Sequence, residues 1–454
     1  MRDHRLAPLR QGYQALKRLT LFLAYARLDA SGQNPNWATM AFTPPPPPPP
    51  SPPRFHPISP DGETTLAADV LVVGSGAAGG VVAATLAGAG HDVLIVEQGE
   101  YLDRADFIGR EADMMPRLYL GGGVLATDDL EVMLLAGGAL GGGTVVNWMA
   151  SLRAPADVVQ EWATLTGMAE FASSPMQEAC AHVEGRLSVG VGESPDNPNN
   201  AALLRGLDAL GLPAARIPRN VRGCEGRCGA CGYGCPHGGK QSVLETFLLD
   251  ATKAGARLLV GTAVRSVCLK GGRVEGVDAT WTAPDGTRKD VFIRAGKVVL
   301  CAGALNTPAI LLRSGIASPW LGRGIYLHPT TALSARYAQP IRSWEGAPMS
   351  VLSHAFAGRN GGYGFYLETA PGHPGLIALA APWDGADTHR SFMNDAAHMA
   401  DFIVLARDRQ GGRIRVRRDG AQLTYRLGDD TLRMLKEGLA TLARVAFAGG
   451  GRRR

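Results

Sequence analysis

Apolar residues come in short blocks along this chain, and the first informative block is ADVLVVGSGAAGGVVAATLAGAGHDVLIVEQG, from Ala68 to Gly99. Val70 to Val73 is an unbroken apolar run of the length of a buried parallel strand, and Val93 to Val96 is a second. Between them Ala77 to Ala89 is almost wholly small residues, which predicts a helix packed closely on both strands. Further strand-like runs lie in RLLVGTAVRSVCL and KVVLCAGA, while GGRIRVRRDGAQLTYRL alternates in the manner of an antiparallel hairpin. The pattern predicts an α/β protein: a Rossmann-like domain interleaved with an α+β domain built on an antiparallel sheet.

Ahead of this region, residues 1–43 read as a helical extension, and Pro44 to Pro50 are an uninterrupted proline run. Such a run adopts polyproline II and predicts a stiff, solvated spacer over 44–66. LTLFLAYA, Leu19 to Ala26, is too short to span a bilayer and is followed at once by Arg27. It reads as an amphipathic helix laid against the body or a membrane surface rather than as a signal peptide.

Composition changes the picture little. With 454 residues, 45% hydrophobic and 19% charged, the chain can bury a sizeable core, and its net charge of +5 is spread along the sequence, so nucleic acid is not an expected partner. Four of the seven cysteines crowd into Cys224, Cys228, Cys231 and Cys235, tighter than a disulfide framework needs. Thiolates at this spacing suit an iron–sulfur cluster or a structural zinc, with free or paired structural cysteines as the alternative; His237 reads as a solvated loop histidine, with replacement of a thiolate as its alternative. Cys180, Cys268 and Cys301 are isolated and read as small buried hydrophobes.

Gly74, Gly76 and Gly79 form G-x-G-x-x-G between strand and helix, with Ser75, Ala77 and Ala78 completing the turn. The first glycine makes the turn, the second lets a pyrophosphate approach the backbone, and the third allows helix and strand to touch. The helix start adds N–H groups and a positive dipole end. Glu97 ends the second strand, where a carboxylate accepts ribose hydroxyls. This unit predicts dinucleotide binding and does not separate NAD from FAD.

Three further segments resemble the glucose-methanol-choline (GMC) oxidoreductases, most closely their long-chain alcohol oxidase branch: GGALGGGTVVNWMAS (Gly137 to Ser151), GALNTPAILLRSG (Gly303 to Gly315) and GRCGACGYGCPHGGKQS. Ala317 departs from the second signature, which expects Gly. The resemblance implies FAD, with Gly141, Gly142, Thr144 and Asn147 near pyrophosphate and flavin and the backbone of Val264 at the adenine. It implies an FAD-binding domain over 67–155 and 240–330 and a substrate domain over 156–239 and 331–448. It implies an alcohol substrate, a long-chain primary alcohol by branch, and hydride transfer to flavin followed by oxygen or another electron acceptor. Some related dehydrogenases pass those electrons through an iron–sulfur cluster, which the four cysteines would hold. A cytoplasmic site, at or near a membrane surface, suits such a substrate.

The family's catalytic base is a C-terminal histidine, and this sequence stops before that segment, so no residue is assigned as catalytic. The closing Gly449 to Arg454 has no core pattern and reads as the aberrant tail of a truncated or frameshifted gene, which would leave an inactive FAD-binding fragment. His328 matches a family position and reads as structural. His354, His373, His389 and His398 carry no motif and read as surface or packed residues.

Overall fold

The computed structural model describes residues 7–60, 65–226, 228–417 and 420–452, so residues 1–6 of the extension and the last two of the tail lie outside it. The extension is helical as expected, its main helix being α1 (Ala7–Ala26). The proline run departs from the expected solvated spacer. Pro44, Pro45 and Pro48 are partly covered, and a methyl group on Gly109 would meet Pro45 Cγ at 2.5 Å, so the run lies along the body. The reason is its threefold period, which turns every third ring toward the same side.

The next elements are β1 (Thr65–Val73), α2 (Ala77–Gly88) and β2 (Val93–Val96), followed later by β3 (Arg257–Leu259), β4 (Thr262–Lys270), β5 (Arg273–Thr282), β6 (Arg288–Leu300) and α3 (Gly303–Arg313). The strands form one six-stranded sheet in the order β3-β2-β1-β6-β5-β4. The first four run parallel, and β6, β5 and β4 pair antiparallel. The continuous apolar runs arise because both faces of the sheet are covered. Val70, Val72, Val93 and Ile95 enter the core under α2, while Leu71, Val73, Leu94 and Val96 enter a second core with Ile293 and Ile310. α3 starts at Gly303 and carries Pro308 inside it.

The rest of the chain adds β7 (Arg323–Ile325), β8 (Thr330–Arg336), β9 (Val351–Phe356), β10 (Phe365–Thr369), β11 (Met399–Ala406), β12 (Gly412–Arg417), β13 (Gly420–Thr424) and α4 (Asp429–Ala448). An antiparallel sheet runs β8-β11-β10-β9 with the short strand Ala215–Arg216 at its edge, and its core includes Phe402, Leu442 and Val445. The predicted hairpin is β12 and β13, which β7 joins as a third strand. The tail is packed as far as Gly451 and Arg452: Gly451 N–H donates to the Ala446 carbonyl, and Arg452 N–H to the Arg336 carbonyl at the end of β8, both at 2.8 Å.

Candidate functional site

A cleft of about 1250 Å³ opens at the C-terminal ends of β1, β2 and β6. This is where ligands bind in open α/β sheets, because the helix starts converge there. Gly74, Gly76, Ala77, Ala78, Glu97, Gly142 and Val264 line it, and so do Thr262, Cys301, Ala302, Gly303, Asn306 and three cations, Arg265, Arg288 and Arg313. Ser75, Gly79, Gly141, Thr144 and Asn147 are not on its surface.

The three glycines behave differently. Gly74 has φ +97°, and a Cβ there would meet the Cys301 carbonyl oxygen at 2.4 Å. At Gly79 a Cβ would sit 1.8 Å from the Gly74 carbonyl oxygen, so this glycine lets α2 touch the strand it follows. At Gly76 the nearest heavy atom would be Gly142 Cα at 3.9 Å. No neighbouring atom of the protein needs Gly76 to lack a side chain, and its open side borders the cleft. Gly76 caps α2 without a side-chain hydrogen bond, so the first N–H groups of the helix, at Ala77 and Ala78, have no side-chain acceptor from the cap and border the cleft.

Ser75 is fully buried behind this turn. Its Oγ donates to Glu97 Oε2 at 2.6 Å and accepts the Gly141 N–H at 3.0 Å, while its own N–H donates to Glu97 Oε2 at 3.0 Å. Glu97 Oε1 accepts the Gly99 N–H at 2.9 Å and keeps lone-pair capacity toward the cleft. One serine thus ties the first glycine turn, the acid and the second glycine-rich segment together. Thr144 Oγ1 closes that segment by donating to the Gly141 carbonyl at 2.7 Å and accepting the Val243 N–H at 3.2 Å. Asn147 is exposed at the end of the short helix that follows.

The residues present fit a dinucleotide: a glycine with open space, a helix start, an acid beside it and guanidinium groups for phosphate charge. The three arginines escaped sequence reasoning because no spacing distinguishes them from other surface arginines. The only signal was Arg265 immediately after Val264.

The cysteine loop is the segment for which a cluster, a zinc or free or paired structural cysteines are the alternatives. Among the described residues no group of three or more His, Cys, Asp or Glu side chains could hold a metal ion, and all seven cysteines are free. Burial pushes the Cys231 thiol up to about 12 and holds Lys240 down at about 8, and Lys240 Nζ donates to the carbonyls of Val145 and Cys231 at 2.6 and 2.7 Å. The loop is fastened by its backbone, with the Gly226 and Lys240 N–H groups reaching the sulfurs of Cys224 and Cys235, both at 3.4 Å. The isolated cysteines are only partly buried, and Cys301 borders the cleft.

Among the described cleft residues there is no histidine. His373 is buried with its Nδ1 unpartnered and is held down at about 4 by burial, while His389 Nε2 lies 2.9 Å from the Ala378 carbonyl oxygen. His328 is exposed with φ +37°, and its backbone N–H donates to Asp408 Oδ1 at 3.2 Å.

Comparison with known proteins places these features in context. A family model described as GMC oxidoreductase matches residues 115–330, and one described as FAD binding domain matches residues 69–106. The long-chain-alcohol oxidase FAO4A of Arabidopsis thaliana is 32% identical over 396 residues, covering 84% of this chain and 53% of that protein. Its paralogue FAO4B is 34% identical, with 84% and 52% covered. An uncharacterized GMC-type oxidoreductase of Mycobacterium tuberculosis is 34% identical, with 87% and 62% covered. The chain therefore spans about half the length of the plant relatives it matches. In fold it is similar to pyridoxine 4-oxidase from Mesorbium loti (TM-score 0.62, 17% identity, 85% of this chain and 82% of that one). Formate oxidase from Aspergillus oryzae is similar too (TM-score 0.59, 14% identity, 85% and 82%).

Proposed function

This chain belongs to the GMC oxidoreductase family, and from that premise we propose that it holds FAD in the cleft and oxidises the CH–OH group of an alcohol, a long-chain primary alcohol being converted to its aldehyde. The observation that carries the cofactor half of this reading is Gly76, whose open side faces the start of α2 while its neighbours Gly74 and Gly79 are locked by contact. The long-chain substrate rests on the likeness to the plant oxidases.

Bound FAD supplies the hydride acceptor for such a reaction. The chain's own residues bind and orient. Gly76, Ala77 and Ala78 offer the turn and the helix start to the pyrophosphate, Glu97 accepts from the ribose, and the backbone at Val264 borders the adenine. Ser75 and Thr144 fix the Gly141–Gly142 segment so that its backbone lies beside Gly76. Leu120, Leu134, Leu305, Ile325 and Leu327 give the cleft an apolar wall that excludes water from a hydrocarbon chain. Electrons leave to oxygen or another acceptor.

A second reading is favoured by one observation, the lack of a histidine among the described cleft residues: FAD is held without turnover, because no imidazole is at hand to take the hydroxyl proton. Visible absorbance of the purified chain with FAD, taken anaerobically before and after a long-chain primary alcohol, separates the two. Flavin bands that bleach on alcohol support oxidation. Bands that bleach only with dithionite support the second reading, and a chain that takes up no FAD overturns both.

A further inference from the structure

Seven carboxylates are buried among the described residues. Six of them spend their oxygens on donors of the protein: Glu97 on Ser75 and Gly99, Asp103 on Arg54, Glu111 on Gly375 and Leu376, Asp129 on Thr127, Asp401 on Ser334 and Ser343, and Asp408 on Leu327 and Tyr425. Glu368 is the seventh. It is 4% exposed, and no described residue donates a hydrogen bond to its side chain or pairs with its charge. Burial alone acts on the carboxyl, which it pushes up to about 7. A buried carboxylate without a donor is a cost to the fold, and such an exception points to a partner from outside the chain.

The sheet fixes where this carboxylate faces. Phe365 and Leu367 of β10 enter the core under α4, so Glu368, next in the strand, projects from the opposite face. Leu352 of β9 and Ile403 of β11 stand directly opposite it on either side, and residues so paired share a face. Those two form a cluster with Ile217 and Met349, and Trp148 packs against that cluster.

Trp148 belongs to the second glycine-rich segment. Gly143, which lines the cleft, begins the helical turn Gly143–Val146 that leads to it. Three helical steps and two extended ones separate Gly143 from Trp148, a reach of about 12 Å at most. Glu368 thus stands on the wall against which the cleft's own loop packs, and both of its oxygens keep a little open surface. A single carboxylate among Ile217, Met349, Leu352 and Ile403 suits a neutral donor on a hydrocarbon chain, since a cation would have to leave its hydration shell for one charge.

We propose that Glu368 is the hydroxyl-binding group for the alcohol: its carboxylate accepts the hydrogen bond of the substrate's O–H, and the carbons beside that hydroxyl meet Trp148, Leu352 and Ile403. The assignment rests on the alcohol-oxidation reading and adds to it the group that orients the CH–OH end. A hydrogen bond to a charged acceptor in apolar surroundings is worth about tenfold to a hundredfold in affinity over a ligand that lacks the donor.

The test is calorimetric titration of the FAD-supplemented chain with n-decanol and with decyl methyl ether, which has a like chain and an oxygen but no O–H. Dithionite is present throughout, so that no oxidised flavin takes hydride and binding alone is read. Decanol is expected to bind about tenfold to a hundredfold more tightly than the ether. E368L should bring decanol down to the affinity of the ether and leave the ether unchanged, while E368Q, whose amide oxygen still accepts, should keep part of the preference. Both variants should melt at or above the parent at about pH 8, because each removes a buried charge. A preference that E368L leaves intact, or a parent that binds neither ligand or both alike, overturns the proposal. Decylamine bound in place of decanol, and lost in E368L, would assign the carboxylate to a cation and overturn it too. Bleaching of oxidised flavin by decanol is read separately: bleaching with binding indifferent to Glu368 refutes this assignment alone, and Glu368-dependent binding without bleaching refutes the oxidation reading alone.

Discussion

Adding one methyl group at Gly76 and one at Gly79 should separate cofactor binding from folding. In G76A the new Cβ finds its nearest heavy atom 3.9 Å away, an ordinary contact, and the backbone at φ −66° accepts an L residue. The apo protein should melt at the parent's temperature. The methyl instead stands where a pyrophosphate must touch the turn, and displacing one charge-assisted hydrogen bond costs about 1.5–3 kcal/mol, so FAD should bind about tenfold to a hundredfold more weakly. G79A inverts this. Its Cβ falls 1.8 Å from the Gly74 carbonyl oxygen, well inside the 3.0 Å that real Cβ atoms respect, and the obstacle is backbone. The helical gain of alanine over glycine, about 1 kcal/mol, is outweighed by overpacking of about 3 kcal/mol or more. A net loss near 2 kcal/mol lowers the apo midpoint by about 2 °C in a chain this long. Flavin-fluorescence titration and thermal unfolding of the apo proteins read both effects. If G76A keeps full FAD affinity, or if it lowers the apo midpoint as much as G79A, the assignment of the cleft at Gly76 to a pyrophosphate is refuted.

Two further outcomes follow from buried polar groups. S75A removes the donor to Glu97 and leaves the Gly141 N–H without its acceptor, so the apo protein should lose about 2 kcal/mol and FAD affinity should fall with it; an unchanged midpoint would mean that the two glycine segments hold each other without the serine. Glu368, buried in β10, has its carboxyl pushed up to about 7 by burial, against an ordinary value of 4.5. The folded chain therefore keeps that proton where the unfolded chain releases it, so the stability it contributes is fully present below about pH 4.5 and lost as pH rises through 7. E368Q abolishes this slope: it should be more stable than the parent by about 3 kcal/mol at pH 8 and no more stable at pH 4, and parallel pH profiles of the two would contradict the burial argument.

What could be read from the sequence was what is local. The strand, glycine turn, helix and acid from Val70 to Glu97 announce themselves because each depends on neighbours within a few residues, and α2 begins at Ala77 as its small residues predict. The hairpin of β12 and β13 was legible for the same reason. Ser75 shows the limit. Between two glycines it reads as one more cofactor contact, whereas its hydroxyl faces away from the cleft to join Glu97 and Gly141, a role set by a segment 66 residues on. The cleft arginines were invisible because Arg288 reaches the site from the start of β6 and Arg313 from the end of α3, placements that no spacing encodes. The packing of Gly449 to Arg452 was not legible because it rests on backbone contacts to Ala202, Gly206 and Arg336, for which an apolar pattern is not required.

The place of β6 in the sheet also fixes an order of events during synthesis. Thr65 of β1 pairs with Phe292 of β6, 292 − 65 = 227 positions later, and β2 waits for β3 until residue 257. At about 5–20 residues per second, β1 emerges from the ribosome roughly 10 to 45 s before its partner. Through that interval a strand reading TLAADVLVV, with four consecutive apolar positions, stands with an open edge of the kind that invites pairing with other chains. The nascent βαβ unit is thus the stage at which this protein is most exposed to aggregation, and slower elongation between residues 97 and 288 would lengthen the danger rather than relieve it.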